Sequence, residues 1–154
     1  MVEFGQASKK DIPELIELRY AYMMEDFGYI PDKEKMGEQL VDYYSRKLGN
    51  DFIAFVVRED NHIVSIVGLN VLEMPASSQL LNGKYGVVLN VYTEPEYRGK
   101  GYCTKLMNTL LEYGREIGLG RIDCNATRQG YPIYKKVGFK DRDSEHAQLR
   151  YIYK

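Results

Sequence analysis

The sequence predicts a mixed α/β domain, and three observations carry this prediction. Apolar stripes with the spacing of helices occupy separate stretches from apolar runs rich in β-branched residues. Several β-rich runs follow one another across short turns, which indicates hairpins rather than regular alternation of strand and helix. The length suits one domain, residues 1–154, and the 44% of hydrophobic and 28% of charged residues exclude a disordered or fibrous chain.

The N-terminal part begins with a strand and continues with two helices. The strand is predicted over 2–6. Asp11 can accept hydrogen bonds from the free amides of a first helical turn, and Pro13 loses no needed donor there. This first helix is expected to end at Gly28, and a second helix to run over 32–48.

Three strands are predicted in the middle of the chain. The apolar runs 52–58 and 62–73 flank a short polar segment, 59–61, that is typical of a hairpin turn. A loop over 74–84 contains a proline and an Asn-Gly pair. The next strand is predicted over 85–93, so the central strands form a run without helices.

The C-terminal part alternates helices and strands. A helix is expected over 102–117, a strand over 121–127 and a short helix over 132–137. Two further strands, 139–142 and 147–153, are expected to close the chain. The predicted order is therefore β-α-α-β-β-β-α-β-α-β-β.

Charge and composition exclude several classes of function. The net charge is −1, without the basic excess of nucleic-acid binders, and no apolar run is long enough to span a membrane. The N-terminus resembles no signal peptide, so a cytoplasmic location is expected. Residues 1–51 carry a net charge of −4 and residues 94–154 of +4. One end of the chain therefore suits a cation and the other an anion, although a solvated surface explains the asymmetry equally well.

The segment with the clearest chemistry is Asn90-Val-Tyr-Thr-Glu-Pro-Glu-Tyr-Arg98-Gly-Lys-Gly101-Tyr-Cys-Thr104. A predicted strand runs into a glycine-bearing turn that opens an amphipathic helix. The first turn of a helix has unpaired N–H groups and a partial positive charge, and glycines leave those groups accessible. The pattern therefore predicts a phosphate or pyrophosphate site.

Two common phosphate-binding motifs do not fit this turn. A Walker loop requires GxxxxGK followed by Ser or Thr, which is missing here. A dinucleotide fingerprint requires GxGxxG in the first βαβ unit, whereas Gly99-x-Gly101-x-x-Thr104 differs in spacing and lies in the second half of the chain.

The turn resembles the R/Q-x-x-G-x-G/A loop of the GNAT superfamily of N-acetyltransferases, with Cys103 at its last position. We interpret Cys103 as a small residue in place of alanine rather than a reactive thiolate. A second match is Gly130-Tyr-Pro-Ile-Tyr134-Lys-Lys-Val-Gly138-Phe139, which is similar to the family's LYEKLGF segment. The resemblance covers essentially the whole chain and implies a mixed, mostly antiparallel sheet with splayed central strands.

The resemblance implies that acetyl-CoA binds in the gap between the fourth and fifth strands. The backbone amides of 99–104 would hold the pyrophosphate, and the backbone of 91–93 would pair with the pantetheine arm and stabilise the oxyanion. Thr127 stands where many relatives carry an asparagine that bonds the pantetheine. No metal site is expected. The predicted cofactor-binding residues are Val91, Tyr92, Thr93, Arg98, Gly99, Lys100, Gly101, Tyr102, Cys103, Thr104, Thr127 and Gly130.

The resemblance assigns catalysis to two residues. Tyr134 would protonate the departing thiolate, because a phenol keeps its proton at neutral pH. Many relatives use a carboxylate on the fourth strand as general base, but this strand has none, and Asn90 would instead hold a water. Glu73 and Asp26 are candidate bases acting through water. Glu25 and Asp26, at the end of the first helix, either contact the substrate or are solvated surface.

The implied function is transfer of an acetyl group from acetyl-CoA to a primary amine, on a small molecule or a peptide, in a ternary complex. A non-catalytic CoA-binding sensor is one alternative. An acyltransferase for longer chains is another, which depends on the space that Leu89, Val91 and Ile133 leave. The sequence does not identify the acceptor, but the acidic N-terminal part suits a cationic amine. The family and the tyrosine-rich segment 151–153 make a homodimer plausible, and completion of the chain's own sheet is the alternative role of that segment.

Overall fold

The computed structural model describes residues 1–142 and 145–154. Its strands are β1 Val2–Gln6, β2 Phe52–Glu59, β3 His62–Glu73, β4 Lys84–Thr93 and β5 Arg121–Asp123. Its α-helices are α1 Ile12–Phe27, α2 Lys33–Lys47, α3 Tyr102–Glu116 and α4 Tyr131–Val137. The predicted mixed α/β class is confirmed. No helix among the described residues is long and apolar enough to cross a membrane.

The five strands form one sheet in the order β1-β2-β3-β4-β5. Neighbouring strands from β1 to β4 are antiparallel. β2 and β3 are joined by a tight turn, whereas α1 and α2 connect β1 to β2. β5 pairs parallel to β4 after the α3 crossover. The sheet is therefore mostly antiparallel, and its one parallel pair lies at the edge formed by β5.

The sheet separates two apolar clusters. One cluster lies under α1 and α2 and includes Leu15 and Tyr44, whereas the other lies under α3 and α4 and includes Leu106. β2 contributes Ala54 to the first cluster and Phe55 to the second, since successive side chains point to opposite faces. Burial on both faces explains why the sequence of β2 is apolar throughout instead of alternating.

The start of α1 lies where the sequence predicts it, but Asp11 does not cap the helix. Its carboxylate accepts a hydrogen bond from the Ser8 N–H at 2.8 Å and two from the Arg58 guanidinium at 2.8 and 3.1 Å. Although burial raises the pKa of Asp11, the hydrogen bonds from Arg58 and Ser8 hold it below its usual value. The expected capping role was wrong, because an arginine on β2 occupies the carboxylate.

His62, at the start of β3, joins α1 to the turn that follows β4. Its Nδ1 lies 2.6 Å from Glu14 Oε2 and its Nε2 lies 2.9 Å from Glu94 Oε1. Partial burial alone lowers the pKa of His62, but the hydrogen bonds and charges of Glu94 and Glu14 raise it above its usual value. The ring therefore holds three separate elements together most strongly when it is protonated.

The predictions for the C-terminal strands were wrong. β5 ends at residue 123 rather than 127, and neither 139–142 nor 147–153 forms a strand. Alternating apolar residues form a strand only where the edge of another strand is available for pairing. β5 forms the edge of the sheet and has only three residues, so it offers little backbone to pair with. Leu149 and Tyr151 are 93% and 81% exposed, so this segment is not buried against the sheet.

Candidate active site

The pairing between β4 and β5 stops early and leaves a gap in the sheet. β5 pairs with β4 only along 85–87, whereas β4 continues to Thr93. The backbone edge of β4 beyond Val87 is therefore unpaired on its β5 side within the described residues. This gap lies next to the glycine-bearing turn that leads into α3.

Backbone groups of β4 point into this gap. Glu94 donates its N–H to the Val64 carbonyl of β3 at 2.9 Å, so its backbone faces β3. Because backbone groups alternate sides along an antiparallel strand, those of Tyr92 also face β3, whereas those of Val91 and Thr93 face the gap. An extended ligand in the gap would find backbone donors and acceptors there.

A β-bulge lies in the middle of this edge. Leu89 pairs with Gly68 and Tyr92 pairs with Ile66, so two residues of β4 oppose one of β3. Asn90 occupies the bulge with φ of 55°, a left-handed conformation that asparagine tolerates better than most residues. The bulge turns the Asn90 side chain out of the regular alternation of the strand.

The Asn90 amide is buried and lacks partners. The residue is 6% exposed, and neither Oδ1 nor Nδ2 has a hydrogen-bond partner within the described part of the chain. Leaving a buried polar group unpaired costs about 1–3 kcal/mol, so such groups usually meet a ligand or water. This amide is therefore a strong candidate for contact with a bound molecule.

The glycine-bearing turn is open next to the N-terminus of α3. Gly99 and Gly101 have φ of 80° and 81°, which other residues rarely adopt. A Cβ at either glycine would meet nothing within 4 Å, and no side chain caps the first turn of α3. The turn thus leaves free amides and empty space together, as an anion site requires.

The side chain of Arg98 links this turn to α1. Its Nε donates to the Thr93 carbonyl at 2.8 Å, and its guanidinium donates to both carboxylate oxygens of Glu25 at 2.8 Å. The guanidinium also lies 5.6 Å from the centre of the Tyr92 ring. The charge of Arg98 is therefore compensated by Glu25, and the amides remain the open anion-binding groups of the turn.

Lys100 points away from the gap. Its Nζ lies 3.3 Å from Glu59 of β2, which also accepts a hydrogen bond from the Tyr102 hydroxyl at 2.5 Å. This hydrogen bond raises the pKa of Tyr102 to about 12. Lys100 and the Tyr102 hydroxyl thus fasten the start of α3 to the sheet.

Tyr134 of α4 lies on the other side of the gap. It is 6% exposed, its ring packs edge-on against Phe139 at 5.8 Å, and its hydroxyl has no hydrogen-bond partner in the described ranges. Burial, with smaller contributions from Cys103 and Cys124, raises the pKa of Tyr134 well above its usual value. The hydroxyl therefore keeps its proton at neutral pH.

Gly130 provides the space for this tyrosine. A Cβ at Gly130 would lie 3.0 Å from the Tyr134 ring, closer than most side-chain contacts allow. The Gly130 N–H donates to the Thr127 hydroxyl oxygen at 3.1 Å, so Thr127 orders the start of α4.

Burial raises the pKa of Cys103 to about 11, which favours a packing role for this thiol.

One cavity of about 1000 Å³ unites most of the predicted site. Its walls include every predicted catalytic and cofactor-binding residue except Lys100. The predicted members in its walls are Asn90, Val91, Tyr92, Thr93, Arg98, Gly99, Gly101, Tyr102, Cys103, Thr104, Thr127, Gly130 and Tyr134. The gap, the turn and the tyrosine therefore line a single cavity.

A further part of the cavity wall comes from α1. It includes Asp26 but not Glu73, which pairs in register with Lys84 at the far end of β4. The proposal of Glu73 as a base was therefore wrong. Sequence analysis missed Arg19 and Tyr22 in this wall, although their spacing from Asp26 places all three on one helical face.

Comparisons with known proteins identify the family of the chain. The family model described as Acetyltransferase (GNAT) family matches residues 14–139. No match was found among curated protein sequences. A predicted acetyltransferase of Clostridium acetobutylicum, solved with acetyl-CoA, is 29% identical over 97% of this chain and 96% of that chain, with a TM-score of 0.87.

Two less similar structures share the fold. A GCN5-related N-acetyltransferase of Ralstonia eutropha is 22% identical over 97% of this chain and 99% of its own, with a TM-score of 0.80. The glucosamine-6-phosphate N-acetyltransferase of Arabidopsis thaliana is 16% identical over 97% and 98%, with a TM-score of 0.70. The chain belongs to the acetyltransferase (GNAT) family, and the family and these neighbours support an acyl-CoA N-acyltransferase.

Proposed function

We propose that the protein transfers an acetyl group from acetyl-CoA to an amine, which attacks directly within a ternary complex. The observation that carries this proposal is the early end of pairing between β4 and β5, which opens a cavity next to free amides. Acetyl-CoA supplies an acyl group activated as a thioester. The acceptor is proposed to enter along α1, which forms the opposite wall.

The residues of the gap suit acetyl-CoA. The turn at Gly99 and Gly101 offers amides and empty space for the pyrophosphate. The backbone of Val91 and Thr93 is available to pair with the pantetheine arm as a further strand would, although the Thr93 carbonyl already accepts a bond from Arg98. The side chain of Arg98 then orders the turn rather than binding phosphate as a free charge.

The bulge provides the polar groups nearest to the reacting carbon. The Val91 N–H faces the gap and is proposed to stabilise the oxyanion. The unpaired Asn90 amide is proposed to orient the acceptor, with Oδ1 accepting from the amine or from a water beside it. An asparagine cannot take the proton itself, so it acts as a positioning residue.

Two further groups complete the proposed chemistry. Tyr134 holds a proton on its hydroxyl oxygen and is proposed to donate it to the leaving sulfur. Asp26 lies in the acceptor wall and accepts a hydrogen bond from the Tyr22 hydroxyl at 3.4 Å. Asp26 has no cationic partner within residues 1–142 and 145–154, so it is proposed to receive the amine proton through water.

The test combines binding with turnover. Calorimetric titration with acetyl-CoA, using NAD and ATP as controls, should show micromolar binding of acetyl-CoA alone. Thiol release with a panel of amines should then detect transfer. Absence of acetyl-CoA binding by folded protein would refute the proposal, whereas binding without transfer to any amine would favour a sensor. Replacing acetyl-CoA by longer acyl-CoAs tests which acyl-chain length the enzyme prefers. The homodimer and the cytoplasmic location are proposals that rest on the sequence.

A further inference from the structure

One face of α1 forms the acceptor wall of the cavity. Arg19, Tyr22, Met23 and Asp26 all line it, at the spacing of three, four and seven residues that defines one helical face. At a rise of about 1.5 Å per residue, this face extends roughly 10 Å along the cavity. An acceptor that lies along this wall would contact these side chains one after another along its length.

The charges of this wall are unequally compensated. Glu25 is neutralised by Arg98, which donates to both of its carboxylate oxygens. Arg19 has no carboxylate partner among the residues that the structure describes, and its guanidinium carbon lies 5.7 Å from the centre of the Tyr22 ring. Arg19 is half-buried and lines the cavity, and it has no internal counterion within the described residues.

Arg19 is linked to β4 through aromatic rings that line the same cavity. The Tyr22 ring on which it rests packs edge-on against Tyr92, with centroids 6.5 Å apart. Tyr92 directly follows Val91, whose backbone faces the gap. Tyr22 and the proposed acid Tyr134 both line the cavity. Two aromatic side chains, Tyr22 and Tyr92, thus connect Arg19 to the strand that carries Val91.

The chemistry of a guanidinium limits what this position binds. Its planar group offers five N–H donors and matches the oxygens of a carboxylate or a phosphate. The phosphates of acetyl-CoA are proposed to bind the free amides at the start of α3, which belongs to the other wall. Arg19 on the acceptor wall attracts an anionic group, whereas the Asp26 carboxylate on the same wall attracts the amine.

We infer that the natural acceptor is an amine that also carries a carboxylate or phosphate, which Arg19 binds. This inference rests on the proposed acetyl transfer and names its substrate class. Arg19 is then a specificity-determining residue that fixes one end of the acceptor while the amine reaches the β4 bulge.

The test compares acceptors that differ only in the anionic group. Glycine, β-alanine and γ-aminobutyrate are each paired with the corresponding amide, and O-phosphoethanolamine is paired with ethanolamine. The series varies the separation of amine and anion, and its two arms distinguish carboxylate from phosphate. We expect kcat/KM to be about tenfold or more higher for the anionic member of at least one pair, as a charge-assisted bidentate contact supports.

Variants assign this preference to Arg19. Arg19→Gln should reduce the ratio within that pair to about twofold or less, and Arg19→Lys should retain part of it. Arg46→Gln is the matched control, because Arg46 is an exposed arginine on α2 paired with Asp42. The control should keep the full preference, and all variants should bind acetyl-CoA like the wild type.

Each outcome decides between the two proposals. Equal or better use of the neutral amines, or a preference that survives Arg19→Gln, overturns the inference and leaves acetyl transfer intact. Failure to bind acetyl-CoA overturns the proposed function and the inference with it. If acetyl-CoA binds but no amine reacts, calorimetric titration of the same pairs into CoA-saturated protein replaces kinetics. A binding preference lost in Arg19→Gln then supports the inference, and equal binding refutes it.

Discussion

Replacing Tyr134 by phenylalanine removes one hydroxyl from the cavity and leaves the ring in place. The ring is buried and packs against Phe139, so the apolar contacts persist. The hydroxyl has no hydrogen-bond partner in the described part of the chain. No internal hydrogen bond is lost, and we expect the free energy of unfolding to change by less than about 1 kcal/mol.

The effect on turnover should be much larger. A positioned general acid contributes about 10²–10⁴-fold, and a thiolate leaves readily, so we expect the lower end of this range. A loss of about 100-fold in kcat corresponds to about 2.7 kcal/mol in activation free energy. Burial raises the pKa of Tyr134 above its usual value, so its proton should remain available to about pH 10 and kcat should show no basic limb below that.

The assay is thiol release at saturating acetyl-CoA and amine, with the acetyl-CoA Kd measured by calorimetry. Tyr113→Phe is the matched control. Tyr113 packs against Phe55 in the same apolar cluster and does not line the cavity. The control should keep wild-type kcat and Kd, whereas Tyr134→Phe should lose kcat alone.

Two results would refute the reasoning about Tyr134. A kcat within about threefold of the wild type would show that the hydroxyl does not supply the proton. A parallel loss of acetyl-CoA affinity, or a fall in stability beyond that of the control, would assign the tyrosine a packing role.

Four other variants test the site and the fold. Gly101→Val should abolish acetyl-CoA binding, while strain at φ of 81° destabilises the fold by only about 1–2 kcal/mol; normal calorimetric binding would disprove the turn as the pyrophosphate site. Gly130→Ala should lower kcat more than acetyl-CoA affinity, because the new Cβ would displace the Tyr134 ring; an unchanged kcat in the thiol assay would contradict this. Asn90→Gly preserves the left-handed backbone and should raise the KM of the amine without unfolding the protein, and an unaltered KM would exclude the amide from acceptor positioning. His62→Gln should lower the free energy of unfolding more near about pH 5.5 than near about pH 8.5, as measured by urea titration. The pKa of His62 is raised in the folded protein, so its stabilising contribution is complete below about pH 6.5, the ordinary pKa of histidine. This contribution is lost as the pH rises through the pKa of the folded state. A pH-independent difference would show that the two carboxylate partners of His62 do not stabilise its charged form.

The sequence predicted the fold well where the signal was local. Helical spacing, Pro13 and Gly28 placed α1 to within a residue, and apolar runs with short turns placed β2 and β3. The prediction failed at 139–142 and 147–153, where alternation alone indicated strands. Strand pairing depends on the free edge of a neighbouring strand, here β5. The length of β5 is set by the assembled sheet and cannot be read from the local pattern at 139–142 or 147–153.

The site was predictable to the extent that its chemistry lies in one segment. The glycine-bearing turn and Tyr134 both carry local patterns, and the structure brings them to one cavity. The unpaired state of the Asn90 amide arises from the bulge against β3, which no local pattern reveals. Arg19 was missed for a similar reason, since only the packed structure shows that its charge lacks a partner.

Net charge along the chain was a poor guide to the charge inside the cavity. The basic C-terminal part was expected to attract phosphates, yet Arg98 and Lys100 are paired with carboxylates 73 and 41 residues away. The acidic N-terminal part was expected to attract a cation, yet Glu25 is one of those partners and Arg19 is left uncompensated within the described residues. Ion pairs cancel charge locally, so a binding site presents what the fold leaves unpaired. Within the described residues these groups are the amides at the glycine-bearing turn, the guanidinium groups of Arg19 and Arg128, and the carboxylate of Asp26.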